Sequence, residues 1–329
     1  MKKRFILSVT FIVLQSLLLT KGIYAENLET DEEYVIYIVQ HNETLEGIAS
    51  EYDVSTSQLL DWNNLDKKTL TKDQELRILE PGYYSKGDKN HAALQKVLEK
   101  YEDYPIYIYV ETLNDDVHYA SLNGTEYVYG ASVPKVVLAA FVLDRVSKGK
   151  LDWDDTFTYS DDIYNGTEVY AFGGSGMMQY EDYHNGEYTL LELTERTLKN
   201  SDNMASNMLL YHVARNNEFV FNRFTRDVYH ASSYSLSVTA KQMSQVMRFI
   251  YEHEDTTVKD MMASTDYDGE KLDAVASATY QKIGGTNQVN HATGIVEGRV
   301  HYVITVLSNF ASDETISNIA IDVHDVLNQ

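Results

Sequence analysis

Ser132-Val-Pro-Lys135, followed without a break by the apolar run Val136-Val-Leu-Ala-Ala-Phe-Val-Leu143, is the stretch on which the fold of this chain turns. Pro134 suits a first helical turn, because its missing N–H would find no partner there. The pattern predicts a helix that begins at Ser132 and is apolar around its whole circumference. Lys135, three residues on, lies on the same face as Ser132, and its amine comes within reach of the serine hydroxyl. A lysine acts as a base only when neutral, a state that burial or a second nearby cation favours. The helix N-terminus also points backbone N–H groups at any oxyanion formed beside it. The pair alone is a weak signal, since Ser147-Lys-Gly-Lys150 repeats the spacing at a helix end.

The whole chain narrows the choice. It has 329 residues, with 27 basic and 50 acidic side chains, a net charge of −23 and no cysteine. Without cysteine there is no thiol nucleophile, disulfide, cysteine-ligated zinc or lipid-modified cysteine. The acidic balance argues against a nucleic-acid partner, which needs a surplus of Lys and Arg. A hydrophobic content of 43% with 23% charged residues is that of a folded protein. The ten histidines are scattered, with no His-Glu-x-x-His, so no metal and no cofactor is expected. Gly173-Gly-Ser175-Gly176-Met177 is not a nucleophile elbow, because Met177 stands where Gly is needed. Nucleophilic catalysis is left to Ser, Thr, Lys or a carboxylate.

The N-terminus reads as an address. Lys2, Lys3 and Arg4 precede a mostly apolar run from Phe5 to Leu19, and Ile23-Tyr24-Ala25 fits a small-residue cleavage site. The run is short for a membrane span. Residues 1–25 are expected to be a signal peptide, leaving no transmembrane span after cleavage and a secreted, extracellular protein. Export without cysteine fits a bacterial cell wall better than a eukaryotic secretory route. Residues 26–33 form an acidic leader.

Between Tyr34 and Leu79 a β-α-α-β order is expected. Val35, Tyr37 and Val39 alternate as a strand, Thr44 caps a helix from Leu45 to Tyr52, and Ser55 to Asn63 is helical. Leu76 and Ile78 return as a strand. Residues 81–90 read as a linker by their Pro, Gly and polar content. Beyond it, a helix is expected over 91–101 and strands over 104–113, 116–122 and 127–131. A long helical middle from Ser132 to about Asn222 is broken by a loop-rich stretch at 152–186. A helix over 240–252, strands over 280–284, 291–297 and 299–308 and a helix over 313–327 follow. Strands first and last must share one sheet, an α+β layout with terminal helices and a separate helical half.

Two more motifs stand at informative places. Ser201-Asp202-Asn203 opens a helix and supplies its N-cap. Lys282-Ile283-Gly284-Gly285 lies on the expected edge strand, ending at a turn.

The first unit, residues 34–80, resembles a LysM domain through Val39-Gln-His-Asn-Glu-Thr44-Leu45, Ile48-Ala49, Tyr52-Asp-Val54, Leu59-Leu-Asp-Trp62-Asn63-Asn64 and Leu70-Thr-Lys-Asp-Gln74-Glu-Leu76. The family's Gly-Asp is Asn42-Glu43 here, and its second turn has Gly in place of Asp73. The resemblance implies binding of N-acetylglucosamine glycan, chiefly peptidoglycan, through Asn42, Glu43, Thr44, Leu45, Leu70 and Thr71.

In the second, residues 91–329, Ser-x-x-Lys, Ser-Asp-Asn and Lys-x-Gly occur in that order. It also has Gly149-Lys-Leu-Asp152, the Gly-Ser-Gly-x-x-Gln segment, Tyr188-Thr-Leu-Leu-Glu192-Leu and Thr293-Gly-Ile-Val296. This unit resembles a class A β-lactamase or penicillin-binding-protein-type serine hydrolase, with the β-lactamase/transpeptidase-like fold. By that resemblance Ser132 is the acylated nucleophile and Lys135 takes or relays its proton. Ser201 passes a proton to the leaving nitrogen, while Asn203 holds the acyl side-chain amide and Lys135. Lys282 supplies positive field for a substrate carboxylate. The backbone N–H groups of Ser132 and Gly285 form the oxyanion hole beside Gly284, and Thr286 is a candidate substrate contact. The substrate is a β-lactam or a wall peptide.

Two departures bear on turnover. Ile283 stands where the family has Thr or Ser. The expected loop after the Ser-Asp-Asn helix, Phe224 to Ser237, holds no glutamate to activate a deacylating water. Its one acid is Asp227, and Glu218 lies close to the preceding helix. The rival expectation is a non-catalytic wall-binding protein that has kept the fold.

Overall fold

The computed structural model describes residues 34–39, 43–52, 56, 59–60, 63, 65, 69–79, 89–113 and 117–328. The expected signal peptide and acidic leader, residues 80–88, Asn42, Trp62, Asn64 and Asp116 lie outside the described residues. The chain divides into two compact units, Met1–Glu80 and Pro81–Gln329.

In the first unit, strand β1 (Tyr34–Ile38) pairs antiparallel with β2 (Glu75–Leu79). The helix Leu45–Tyr52 begins where Thr44 Oγ1 accepts the Gly47 N–H at 3.1 Å, an N-cap bond. Of the expected second helix, Thr56, Leu59 and Leu60 are helical and most of its other residues lie outside the described set. Val39, Leu45, Ile48, Ala49, Leu59 and Leu76 form the small core. Asn63 stitches the unit together: its amide donates to the carbonyls of Leu59 and Arg77, and its Oδ1 accepts the Arg77 N–H. Asp73, at the position where the LysM pattern has glycine, adopts φ +67° in the turn before β2.

The second unit is built on one six-stranded sheet in the order β10-β11-β12-β4-β5-β3. Its strands are β3 (Lys89–Asn90), β4 (Ile106–Thr112), β5 (His118–Leu122), β10 (Ala278–Gly285), β11 (Asn290–Glu297) and β12 (His301–Ser308). Strands from the two ends of this unit meet in the middle of the sheet, where β12 runs antiparallel to β4 with Tyr302 opposite Thr112 and Ser308 opposite Ile106. The last two residues of the expected linker belong to the sheet, since β3 pairs parallel with β5.

Both sheet faces are covered, and the strands alternate between two cores. Tyr302, Ile304, Val306, Ile106, Ile108 and Val110 face the terminal helices Ala92–Leu98 and Asp313–Asn328. Val303, Leu307, Tyr109 and Ile295 face the helical half. There the helix Ala240–Glu252 lies on β4, β11 and β12, its first turn closed by a reciprocal Thr239–Gln242 capping box. Behind it the helix Lys135–Ser147 is buried along its first ten residues, as an all-round apolar run requires.

Two expectations are corrected. The strand expected over 127–131 shrinks to β6 (Val128–Tyr129), which pairs with β9 (Ser237–Val238) rather than joining the main sheet. The stretch expected to be a loop from Phe224 is helical through Tyr229, because the buried face of Phe221, Phe224, Thr225 and Tyr229 continues the amphipathic Glu218–Tyr229 helix. The loop-rich stretch at 152–186 is closed by a short ladder, β7 (Thr156–Thr158) with β8 (Glu187–Thr189).

Candidate active site

The turn Ala131–Pro134 carries Ser132 into the buried helix, with Lys135 N–H bonded to the Ser132 carbonyl at 3.2 Å. Ala131 just before it has φ +49° and Ser201 has φ +54°. Two non-glycine residues in the left-handed region flank one site, and such conformations persist only where the surroundings enforce them. At Ser201 the enforcement is visible. Asp202 Oδ1 accepts the N–H groups of Met204 and Ala205, capping the helix Asn203–Leu209, and its Oδ2 accepts the Met178 N–H. Gly176, at φ +102°, passes so close that a Cβ there would lie 2.2 Å from the Asp202 carboxylate. That contact gives the glycine-rich segment its structural reason.

Lys135 is the hub. Its Nζ lies 3.2 Å from Ser132 Oγ, 2.6 Å from the Ser201 carbonyl oxygen, 3.4 Å from Ser201 Oγ and 2.7 Å from Asn203 Oδ1. Burial, then the charge of Lys282, holds its pKa well below the ordinary lysine range, with Asp202 opposing. A neutral amine has two N–H groups for Ser201 O and Asn203 Oδ1. Its lone pair is then left for the Ser132 hydroxyl.

From the sheet side, β10 brings Lys282, fully buried, with Nζ 2.9 Å from Ser201 Oγ and 2.7 Å from the Ile283 carbonyl. Burial, reinforced by Lys271, lowers its pKa from 10.5 to about 7. Gly284 lets β10 approach the Ser132 turn: a Cβ there would sit 2.9 Å from the backbone nitrogens of both Ser132 and Val133. Gly285 is the last residue of β10, opposite Asn290. Ser132, Lys135, Ser201, Asn203 and Lys282, far apart in sequence, are thus brought within one hydrogen-bonded group, with Gly284 against it.

Thr286 sits in the hairpin turn, where its Oγ1 accepts from the N–H groups of Gln288 and Val289. Ile283 and Thr286 line a surface cleft of about 420 Å³ together with Lys271, Phe310 and Asp313. Lys271 is buried there, near Asp313 Oδ1 at 3.5 Å and the His291 carbonyl at 3.3 Å.

The two acids considered for water activation lie on one helix. Glu218 is the first residue of the Glu218–Tyr229 helix. Asp227, near the end of the same helix, pairs with Arg223 at 3.4 Å and Arg226 at 3.7 Å. Sequence reading missed Tyr170 and Tyr234. The Tyr170 ring centroid is 4.5 Å from Lys135 Nζ, and the two buried hydroxyls are 2.6 Å apart. No local motif marks them, and they are two of 26 tyrosines.

In the first unit Glu43 and Leu70 are half-buried and Thr44 and Thr71 exposed. Leu45 is fully buried in the core, so its side chain packs the unit and is no groove contact. Among the described residues there is no cluster able to hold a metal, and no helix is long and apolar enough to cross a membrane.

Comparison with known proteins agrees with this architecture. A model described as the beta-lactamase enzyme family matches residues 90–327, and one for the LysM domain matches residues 37–79. None of the curated proteins matches the chain. Among solved structures, PBP-A superposes with a TM-score of 0.60 at 17% identity, over 73% of this chain and 97% of that one. The TLA-3 extended-spectrum beta-lactamase superposes at 0.57 and 17% identity, over 72% of this chain and 99% of that one. An ancestral class A beta-lactamase superposes at 0.58 and 19% identity, over 71% of this chain and 99% of that one. At these identities the likeness is one of fold.

Proposed function

The chain belongs to the beta-lactamase enzyme family, and from that premise we propose that it is an exported cell-wall protein whose Ser132 is acylated by a β-lactam or a peptidoglycan-peptide-like substrate. Its LysM unit makes it a cell-wall-associated, beta-lactamase-like protein. In the proposed step, Ser132 Oγ attacks the substrate carbonyl carbon as its proton passes to the lone pair of Lys135. The oxyanion takes hydrogen bonds from the backbone N–H groups of Ser132 and Gly285. The C–N bond then breaks, and the departing nitrogen takes a proton from the Ser201 hydroxyl, which is resupplied from Lys135 or Lys282. Asn203 holds Lys135 and the acyl side chain, while Lys282 attracts the substrate carboxylate. Gly284 keeps the strand close and Thr286 borders the entry at the Ile283 side. The product is a Ser132 ester.

The observation that carries this reading is the short, buried network that joins Lys135 to Ser132, Ser201 and Asn203. Lysines lowered by burial suit a base, as a perturbed group in a cleft often does. Glycan binding is assigned to the first unit, around Glu43, Thr44, Leu70 and Thr71, with Asn42.

Intact-mass spectrometry of the protein with a panel of penicillins and cephalosporins, followed over hours, tests the proposal. A stable adduct mapping to Ser132, absent in Ser132→Ala while peptidoglycan pull-down persists, is the expected result. An adduct that survives Ser132→Ala removes Ser132 from the role. Neither adduct nor drug turnover moves the chain to the wall-binding reading.

A further inference from the structure

We propose that the aromatic face of Tyr170 is a positioning element for Lys135, stabilising the ammonium that forms when the lysine takes the Ser132 proton. The inference rests on the reading of Ser132 and Lys135 as nucleophile and base. Its ground is geometric. The Tyr170 ring centroid lies 4.5 Å from Lys135 Nζ, inside the range of a cation–π contact, and the pair is desolvated.

The ring is held by contacts that packing alone does not require. The Tyr170 N–H donates to Asn207 Oδ1 at 2.9 Å, and the Asn207 amide donates back to the Tyr170 carbonyl at 2.8 Å. Asn207 stands one helical turn after Asn203, so one helix fixes both the oxygen and the ring that face the lysine. At the far end the hydroxyl is locked to that of Tyr234 at 2.6 Å. The backbone bonds fix where the side chain starts and the hydroxyl bond fixes where it ends, so the ring cannot swing away from the amine without breaking the bond to Tyr234.

The need for such a face follows from the charges around Lys135. Burial first and Lys282 on β10 second lower its pKa, and Asp202 at the helix start raises it. Burial of the amine favours deprotonation, which prepares the base and penalises its product. A π-face attracts the cation and is nearly indifferent to the neutral amine, so its effect falls on the state after proton transfer. The Tyr170 hydroxyl is itself held neutral by burial, so no phenolate charge competes.

The test uses the full chain, with lysine labelled at Cε and Nζ, and follows the Lys135 resonance by NMR against pH, assigned by difference from Lys135→Met. Three forms separate ring from hydroxyl: Tyr170→Leu, Tyr170→Phe, and Tyr170→Phe with the ring multiply fluorinated, which weakens the quadrupole while keeping the shape. The expected outcome is a Lys135 midpoint lower by about one pH unit in the Leu and fluorinated forms. In the Phe form it stays within a few tenths of a unit. Acylation by penicillin then slows roughly tenfold in the first two, and its acidic limb moves to lower pH. Should Tyr170→Leu fail to fold, the fluorinated ring alone decides. An unchanged midpoint with that ring, or an equal shift in Tyr170→Phe, overturns the proposal. If the midpoint responds while the unmodified protein forms no adduct, the coupling stands and the serine-nucleophile reading falls.

Discussion

Replacing Lys282 by methionine should flatten the dependence of stability on pH, and the size of the effect follows from the burial of the amine. In the fold its pKa is lowered from 10.5 to about 7, by burial first and by Lys271 second. In the unfolded chain a lysine keeps its proton to about pH 10.4. Between pH 7 and 9 the unfolded state therefore binds more protons than the folded one, and stability rises with pH by up to about 1.4 kcal/mol per unit. Because the folded group is already half titrated near pH 7, the integrated gain by pH 9 is about 2 kcal/mol. Below pH 7 the buried charge opposes folding in full. Removing Lys282 also relieves Lys135, whose own pKa it depresses. That second effect has the same sign and further reduces the slope. Urea unfolding at pH 7, 8 and 9, followed by Trp153 fluorescence in a Trp62→Phe background, confines the signal to the second unit. Parallel pH slopes for Lys282 and Lys282→Met proteins would refute the claim that a buried amine at the edge strand titrates near neutrality.

Three further predictions concern geometry. Gly284→Ala forces a Cβ within 2.9 Å of the Ser132 and Val133 nitrogens, so β10 must retreat; the expected loss is about 1–3 kcal/mol in urea unfolding, with slower adduct formation at Ser132. Asp202→Ala leaves the Met204, Ala205 and Met178 N–H groups without their acceptor. The expected cost is about 2–3 kcal/mol, more than an ordinary cap, and a melting temperature within a degree of the parent would contradict it. Asp73→Gly should stabilise the first unit by up to about 1 kcal/mol, since φ +67° costs Asp more than Gly, and its resistance to proteolysis reads this directly.

Elements with a strong period were legible in the sequence, and elements defined by a partner were not. The Lys135–Ser147 and Ala240–Glu252 helices and strands β10 to β12 declared themselves by apolar pattern. The pairing of the two ends of the second unit followed from its having strands first and last with helices between. The ladder of β6 with β9 did not, because two-residue strands carry no periodicity and exist only through their mutual bonds. The helix through Tyr229 overran an expected loop because its positions Phe221, Phe224, Thr225 and Tyr229 are anchored by tertiary burial. At the site, the motif residues were legible through spacing that puts serine and lysine on one face. The parts that hold them were not. Gly176 under Asp202, and Tyr170 beside Lys135, are contacts between segments about 26 and 35 residues apart, and nothing local in either segment announces the other.

The same helix through Tyr229 bears on the step after acylation in the proposed reaction. Hydrolysis of a Ser132 ester needs a base beside a water, and the connection after the Glu218–Tyr229 helix is the segment expected to bring one. Once that helix has taken the chain to Tyr229, only His230–Leu236 remains before β9, and none of those residues is acidic. The segment is also tied down along its length. Ala231 exchanges bonds with Thr225, the Tyr234 hydroxyl meets Tyr170, and the Leu236 N–H donates to the Glu168 carboxylate while its carbonyl accepts the Gly130 N–H. Glu168 thereby helps to hold the connection, and Asp227 pairs with two arginines. The aromatic pair beside Lys135 has its hydroxyls bonded to each other and both pushed toward the neutral form by burial, so neither is a base. Acylation as proposed draws on Lys135, Ser201 and Lys282, which are joined in one network. Deacylation draws on a carboxylate that this connection does not supply. The two half-reactions are therefore expected to differ greatly in rate, and the covalent ester is the species that accumulates.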